Sequence, residues 1–301
     1  MKIIKSTEAI PVDHPVVMVF GQPGICKTSV GYSAADALLL DFDKGSHRAK
    51  NRRDTLVIDA WDDVIEMMTA SDALAPYKTL VPDTVGRCID VMIAYLAKTE
   101  PKLVQAGNPT LQGWGRLKAM FRSWIAGLRT LGKDVLLIAH DKEDKDGDIR
   151  IVRPDIAGGS YGEVMKVADF VGYLYMSGRD RVLDFNPTDR WVGKNPAAWQ
   201  PFRIPPVEKA DHFMADLFEK GRDALGELSA ASAAIQQQVE TWRAQIAGFS
   251  MAQQFTDAIP VLNAITEPMV REPAKKILND AAQAKGFAFD KKVKAFAEKA
   301  A

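Results

Sequence analysis

Residues 16–30 read Val-Val-Met-Val-Phe-Gly-Gln-Pro-Gly-Ile-Cys-Lys-Thr-Ser-Val, and this stretch limits what the chain can fold into more than any other. Val16 to Phe20 is a short apolar run rich in β-branched side chains, bounded by Pro15 and Gly21, the pattern of a strand buried on both faces. Gly21, Pro23 and Gly24 break that strand. Lys27-Thr28-Ser29 then opens a segment, 29–39, whose small and apolar residues suit a helix packed on a sheet. Strand, glycine-rich loop, Lys-Thr and helix, in that order, are the setting of a phosphate-binding loop.

Backbone N–H groups of such a turn, together with the start of a helix, cradle phosphate oxygens. The expected nucleotide-binding set is therefore Gly21, Gln22, Pro23, Gly24, Ile25, Cys26, Lys27, Thr28 and Ser29. In this reading Lys27 reaches the β- and γ-phosphates of ATP and the Thr28 hydroxyl holds Mg2+. Cys26 stands where the pattern Gly-x-x-x-x-Gly-Lys-Thr has its second glycine. A glycine there lets the backbone approach phosphate without a Cβ in the way, so Cys26 bears on affinity. The competing reading, a glycine-rich turn with an accidental Lys-Thr, leaves the flanking strand and helix unexplained.

A chain of 301 residues holds one α/β core and a smaller appended unit. The formal net charge is zero, so no global field draws the protein to nucleic acid or membrane, and any such binding needs a local patch. Cys26 and Cys88 lie far apart without metal-ligand spacing, which suits free thiols in a reducing cytoplasm. No run approaches the ~20 apolar residues of a membrane span, and the start lacks a signal-peptide pattern. The expectation is a cytoplasmic protein with no membrane partner.

Taken in order, residues 2–5 suggest an edge strand, and 37–45 a buried strand ending in Asp41, Asp43 and Gly45. Acids at the carboxyl end of a strand face the ligand crevice of an α/β sheet, where Asp43 orients an attacking water or is a plain turn acid. A strand at 54–59 and a helix at 62–74 read as scaffold. Residues 78–84 form an apolar strand ending in Asp83, placed to organise the metal with Thr28. Pro82 cannot donate to a ladder and fits only at the strand's end or beside a gap in pairing. After a helix at 87–98, the Gly- and Pro-rich stretch 99–115 reads as a long loop. Its Trp114 either stacks on a base or caps the core, and packing favours the cap. A helix at 116–131 and a buried strand at 133–140 follow, ending in His140, a neutral donor near a γ-phosphate or a satisfied strand-end histidine.

Beyond it, 141–148 is acidic, and Asp146-Gly147 between extended segments signals a hairpin. Residues 154–161 form a glycine-rich loop, 163–168 a helix, and 171–176 with 181–185 a pair of strands. Pro196, Pro201, Pro205 and Pro206 then dismantle regular structure. The domain expectation is a core at 1–206, a linker at 207–221 and a helical domain at 222–301, its helices broken near Gly248, Pro260, Pro273 and Gly286. The mildly basic end, 285–299, is a solvated face or a contact for DNA or a protein.

From about residue 12 to 206 the chain resembles the RecA-like recombinases, most of all the phage-encoded RecA-like ATPases grouped with the Sak-type single-strand annealing proteins. The resemblance rests on the loop at 21–28, Leu-Asp-Phe-Asp-Lys-Gly at 40–45, Thr-Leu-Val-Pro-Asp-Thr at 79–84, Gln-Gly-Trp-Gly at 112–115 and Leu-Ile-Ala-His at 137–140, in the family's order and approximate spacing. It implies a RecA-like α/β core with a mostly parallel central sheet, and a small C-terminal α-helical domain beyond the match. It also implies that Asp43 takes the place of the catalytic acid, usually Glu, and His140 that of the residue reading the γ-phosphate. Gly158-Gly159-Ser160 resembles the end of the mobile DNA-binding loop. Residues 192–198 resemble the segment whose lysines reach a neighbour's nucleotide, so Lys194, or a nearby arginine such as Arg190, would act in trans.

The reading that follows is an ATPase acting on single-stranded DNA in recombination or annealing, in the cytoplasm of a bacterial host, as a ring or filament with ATP at the subunit interface. Lys27, Asp43, Asp83, His140 and Lys194 carry the reaction; Arg153, Trp114 and Lys142 are the expected DNA contacts, and the C-terminal helices can take a protein partner. Two alternatives keep the fold: a catalytically weak, nucleotide-stabilised assembly factor, favoured by Cys26 and Pro82, and a replication or helicase-loading ATPase. A small-molecule kinase is disfavoured by the lack of a compact Arg-rich lid segment.

Overall fold

The computed structural model describes residues 3–146 and 149–298. Every position of β1 (Val16–Gly21) is buried. Val16, Met18 and Phe20 face one hydrophobic core, Val17 and Val19 the other, the alternation of a strand covered on both sides. In chain order follow α1 (Lys27–Gly31), β2 (Ala37–Asp41), β3 (Thr55–Val57), α2 (Trp61–Thr69), α3 (Ser71–Leu74), β4 (Thr79–Asp83), α4 (Val85–Thr99), β5 (Val104–Gln105) and β6 (Asn108–Pro109). Next come α5 (Leu111–Thr130), β7 (Asp134–Asp146), β8 (Ile149–Pro154), α6 (Ser160–Val167), β9 (Phe170–Ser177), β10 (Asp180–Asp184) and β11 (Phe202–Ile204). The chain closes with α7 (Phe213–Ala247), α8 (Ala252–Asn263), α9 (Pro268–Ala284), β12 (Phe287–Asp290) and β13 (Ala295–Glu298).

The main sheet runs β11-β10-β9-β1-β7-β4-β2-β3, with β8 on the outer half of β7. Strands β9, β1, β7, β4, β2 and β3 are parallel, and β10 and β11 add an antiparallel edge. Parallel register brings carboxyl ends level: Gly21 pairs with His140, and Asp41 with Asp83. Gly21 at the end of β1, Asp41 and Asp83 closing β2 and β4, and His140 within β7 therefore gather along one edge of the parallel sheet. The β4–β7 pairing lapses at Val81 and Pro82 and resumes at Asp83 with Ile138, so the proline sits in a gap where no N–H is required.

The chain divides into two compact units, Val12–Leu225, and Met1–Pro11 with Gly226–Ala301. Residues 207–221, expected as a linker, belong to the first unit. Phe213 opens α7, and Met214, Leu217 and Phe218 are buried against Phe170, Phe185 and their neighbours. In the second unit Val270, Ala274, Leu278 and Ala282 recur every fourth residue and face inward, with Phe255 and Leu262 of α8 buried in the same unit. That packing carries both helices through Pro260 and Pro273, which interrupt neither. The tail is not all helical. Phe-Ala-Phe-Asp and Ala-Phe-Ala-Glu alternate with period two and pair as the β12–β13 hairpin, with Phe296 buried; Lys299 lies outside the described residues.

Local corrections have local causes. Residues 3–5 form no strand, and Lys2 lies outside the described residues. The helix expected over 29–39 ends at Gly31, where the Ser33 hydroxyl donates to the Val30 carbonyl and the chain turns into β2. Helix α5 begins at Leu111 and takes in Gly113 and Gly115: Thr110 caps it by accepting the Gly113 N–H, and Gly113 lies so close to the Leu103 carbonyl that a Cβ would stand 2.2 Å from its oxygen. The hairpin is present as β7 and β8, while Gly147 and Asp148 of its turn lie outside the described residues. Among the described residues no helix is long and apolar enough to cross a membrane.

Candidate functional site

The loop after β1 turns through two left-handed residues, Gly24 at φ 80° and Cys26 at φ 74°. Glycine takes this conformation freely; a Cβ makes it cost about 1–2 kcal/mol, which is the local meaning of cysteine at position 26. Helix α1 that follows is only five residues long, so the loop's own N–H groups form most of the cradle.

Lys27 is buried. Its ammonium donates to the carbonyls of Gly21, at 2.8 Å, and Gln22, at 2.9 Å, and lies 3.3 Å from His140 Nδ1. Burial lowers its pKa, while Asp83, Asp141 and Asp43 pull it back up. An ammonium only donates, so Nδ1 accepts and the His140 proton sits on Nε2, which meets Asp43 Oδ2 at 3.2 Å. Asp43 also accepts from the Thr84 hydroxyl at 3.1 Å and faces Arg87 at 3.7 Å. Burial alone would raise the Asp43 carboxyl, but the His140 and Thr84 hydrogen bonds, with the charge of Arg87, hold it below its ordinary value.

The Thr28 hydroxyl donates to Asp83 Oδ2 at 2.6 Å. Burial raises the Asp83 carboxyl to about 6, against the pull of the Thr28 bond and of Lys27. Asp41, level with Asp83 in the sheet, accepts the N–H groups of Gly45 and Ser46 and shapes the turn that carries Asp43.

Most of these groups line a cleft of about 610 Å³, with Arg48 and Ala49 also among its walls. Among the described residues no three His, Cys, Asp or Glu side chains converge on a metal position. One hydroxyl and one carboxylate are what magnesium uses when phosphate and water complete its shell, so Thr28 and Asp83 fit a metal that arrives with a nucleotide. Arg87 and Arg48 line the cleft and Thr84 reaches it through Asp43, and these three carry no sequence expectation of their own. Thr84 follows Asp83 directly and Arg87 lies in the first turn of α4, and that position was the available signal.

Lys194 is not in this cleft; its ammonium donates to the Ala168 carbonyl of its own chain at 2.5 Å. Arg153 is held by Asp144 and lies 4.9 Å over the Tyr161 ring. Trp114 does not cap the core: its ring lies on the surface against Gly158 of the glycine-rich loop, 38% exposed. Lys142 is exposed on the hairpin.

A parallel sheet with β1 at its centre, a phosphate-type loop after it, Asp83 on the next strand but one and His140 between them defines a RecA-like P-loop ATPase core. The family described as AAA domain matches residues 13–197, well over half the chain, and the chain belongs to it. A crystal structure of a KaiC-like protein from the hyperthermophilic archaeon Pyrococcus horikoshii OT3 is similar over 58% of this chain and 86% of that one, at 10% identity and a TM-score of 0.34. No curated protein matches.

Proposed function

We propose that this protein is a magnesium-dependent ATPase that single-stranded DNA stimulates, one of the phage-encoded RecA-like proteins of the Sak type that anneal or exchange strands. The observation that carries the reading is the course of β7, which runs unbroken from the cleft through His140 into the β7–β8 hairpin. A load on the hairpin is therefore felt at the residue that touches both Lys27 and Asp43.

Magnesium-ATP supplies the phosphoanhydride and a cation that neutralises its oxygens. Lys27 turns its ammonium from the Gly21 and Gln22 carbonyls toward phosphate. Thr28 and Asp83 give their oxygens to the cation. Asp43, kept ionised, accepts a hydrogen bond from water and orients it, and His140 fixes Asp43 through Nε2–H. Self-assembly into a ring or filament would free Lys194 from Ala168 to reach the next copy's nucleotide. The C-terminal helices would serve a protein partner.

The test is annealing of complementary single strands with ATP, without nucleotide, and with a non-hydrolysable analogue. ATP-dependent annealing supports the reading; strand unwinding would move the protein to replication. A second reading, a weak ATPase that uses nucleotide to hold an assembly together, is favoured by the strained Cys26, and equal annealing with ATP and analogue would select it.

A further inference from the structure

On the other side of β1 from the nucleotide cleft, a ladder of rings rises from the core to the surface. Fully buried Phe20 stacks on Tyr173 at 5.1 Å, and Tyr173 stacks on Tyr175 at 5.6 Å. Trp191 leans on both, 5.5 Å from Tyr173 and 5.2 Å from Tyr175. The Trp191 indole N–H donates to the Asn186 carbonyl at 3.1 Å, and the Tyr173 hydroxyl to Asp141 at 3.2 Å, so these two rings are tethered, and Tyr175 packs against both. Beside them is a cavity of about 320 Å³, walled by Gln22, Tyr173, Tyr175, Met176, Arg190 and Trp191. Met176 is 48% exposed at its mouth, and the exposed Arg190 guanidinium has no hydrogen bond or ion pair among the described residues.

We infer that this cleft takes a base of a single nucleic-acid strand, stacked on Tyr175 and Trp191, with Arg190 on the adjoining phosphate. The inference rests on the single-stranded DNA reading above and names the contact that reading lacks, since Arg153 is already paired. Fixed ring faces accept any base, and an unpaired arginine at their rim suits the backbone charge. Among the described residues the one carboxylate hydrogen-bonded to the ladder, Asp141, is engaged by the Tyr173 hydroxyl.

The position also joins DNA to ATP. Val152 of the hairpin donates its N–H to the Arg190 carbonyl at 2.7 Å, and Val192 donates back to Val152 at 3.1 Å. Gln22 walls the cleft, and its carbonyl holds the Lys27 ammonium. A base seated here presses on the hairpin and on the loop residue that restrains Lys27.

The experiment titrates a fluorescent oligothymidine into the full-length protein with ATP analogue, at several salt concentrations. Tyr175→Leu keeps apolar bulk and removes the stacking face, and it is expected to weaken binding by about tenfold or more with DNA-free ATP hydrolysis unchanged. Arg190→Gln is expected to reduce the salt slope by about one contact. In the unaltered protein, photocrosslinking of a 5-iodouracil oligonucleotide is expected on Tyr175 or Trp191. Unchanged affinity with crosslinks elsewhere overturns the cleft and leaves the DNA-stimulated ATPase standing. Altered self-assembly with unchanged DNA affinity makes the cleft a contact between copies and also overturns it. No binding of oligonucleotide by the unaltered protein removes both readings.

Discussion

His140 Nε2 lies 3.2 Å from the Asp43 carboxylate, while the same ring's Nδ1 faces the Lys27 ammonium at 3.3 Å. One side chain midway along one central strand thus touches both the expected phosphate ligand and the expected water-orienting acid. Lys27 and Asp43 share this point of contact.

If Asp43 orients water, Asp43→Asn removes a charge needed at the reaction and little that binds nucleotide. The turnover number is expected to fall by about 10²–10³ with nucleotide affinity near that of the unaltered protein. Single-turnover hydrolysis beside a fluorescent-nucleotide titration separates the two. An equal loss in affinity would make Asp43 a structural acid of the turn.

Asp83 gives the stability of the metal- and nucleotide-free protein a pH dependence. Its carboxyl titrates near 6 in the folded chain against an ordinary 3.8. The folded state holds that proton more tightly, so the favourable contribution is full below 3.8 and is lost as pH rises through about 6. Asp83→Asn copies the protonated form. Its melting temperature is expected to gain on that of the unaltered chain between pH 4 and 7, as roughly follows from that window. A constant difference would contradict the burial argument.

Much of this site was legible in the sequence because central parallel strands are short, apolar and closed by a polar residue. Leu40-Asp41 and Pro82-Asp83 carry that mark, Phe20-Gly21 ends on a glycine and Ala139-His140 changes from apolar to polar within β7, and register brings them together. Arg48, Arg87 and Thr84 were not legible, since their places depend on how the chain turns after β2 and β4. Trp114 was misread because its two neighbouring glycines look like loop, whereas Gly113 serves close packing inside α5. Pro260 and Pro273 misled for the opposite reason: burial of a four-residue repeat outweighed one missing hydrogen bond apiece.

Cys26 at φ 74° is strained where glycine would be relaxed. Cys26→Gly is expected to add about 1 kcal/mol to stability and to tighten nucleotide binding, while Cys26→Ala does neither. Urea unfolding and nucleotide titration of the two variants check this. Equal behaviour would place the cysteine's effect in its thiol and not in its Cβ.

Arg222 holds the buried Asp134 carboxylate with contacts of 2.9 and 3.0 Å. Burial raises Asp134, and Arg222 and His14 oppose that rise. Arg222→Ala leaves the carboxylate without its main partner and is expected to cost about 2 kcal/mol, less than for a fully buried pair because Arg222 is partly exposed. Chemical denaturation at pH 7 checks it; a neutral effect would mean that water replaces the arginine.

The most direct test of the central claim is steady-state ATP hydrolysis with and without single-stranded DNA, for the unaltered protein and Lys27→Ala, at two salt concentrations. The account predicts turnover that DNA stimulates, that higher salt diminishes, and that Lys27→Ala lowers by at least about a hundredfold. Turnover indifferent to DNA, or untouched by loss of Lys27, would contradict it.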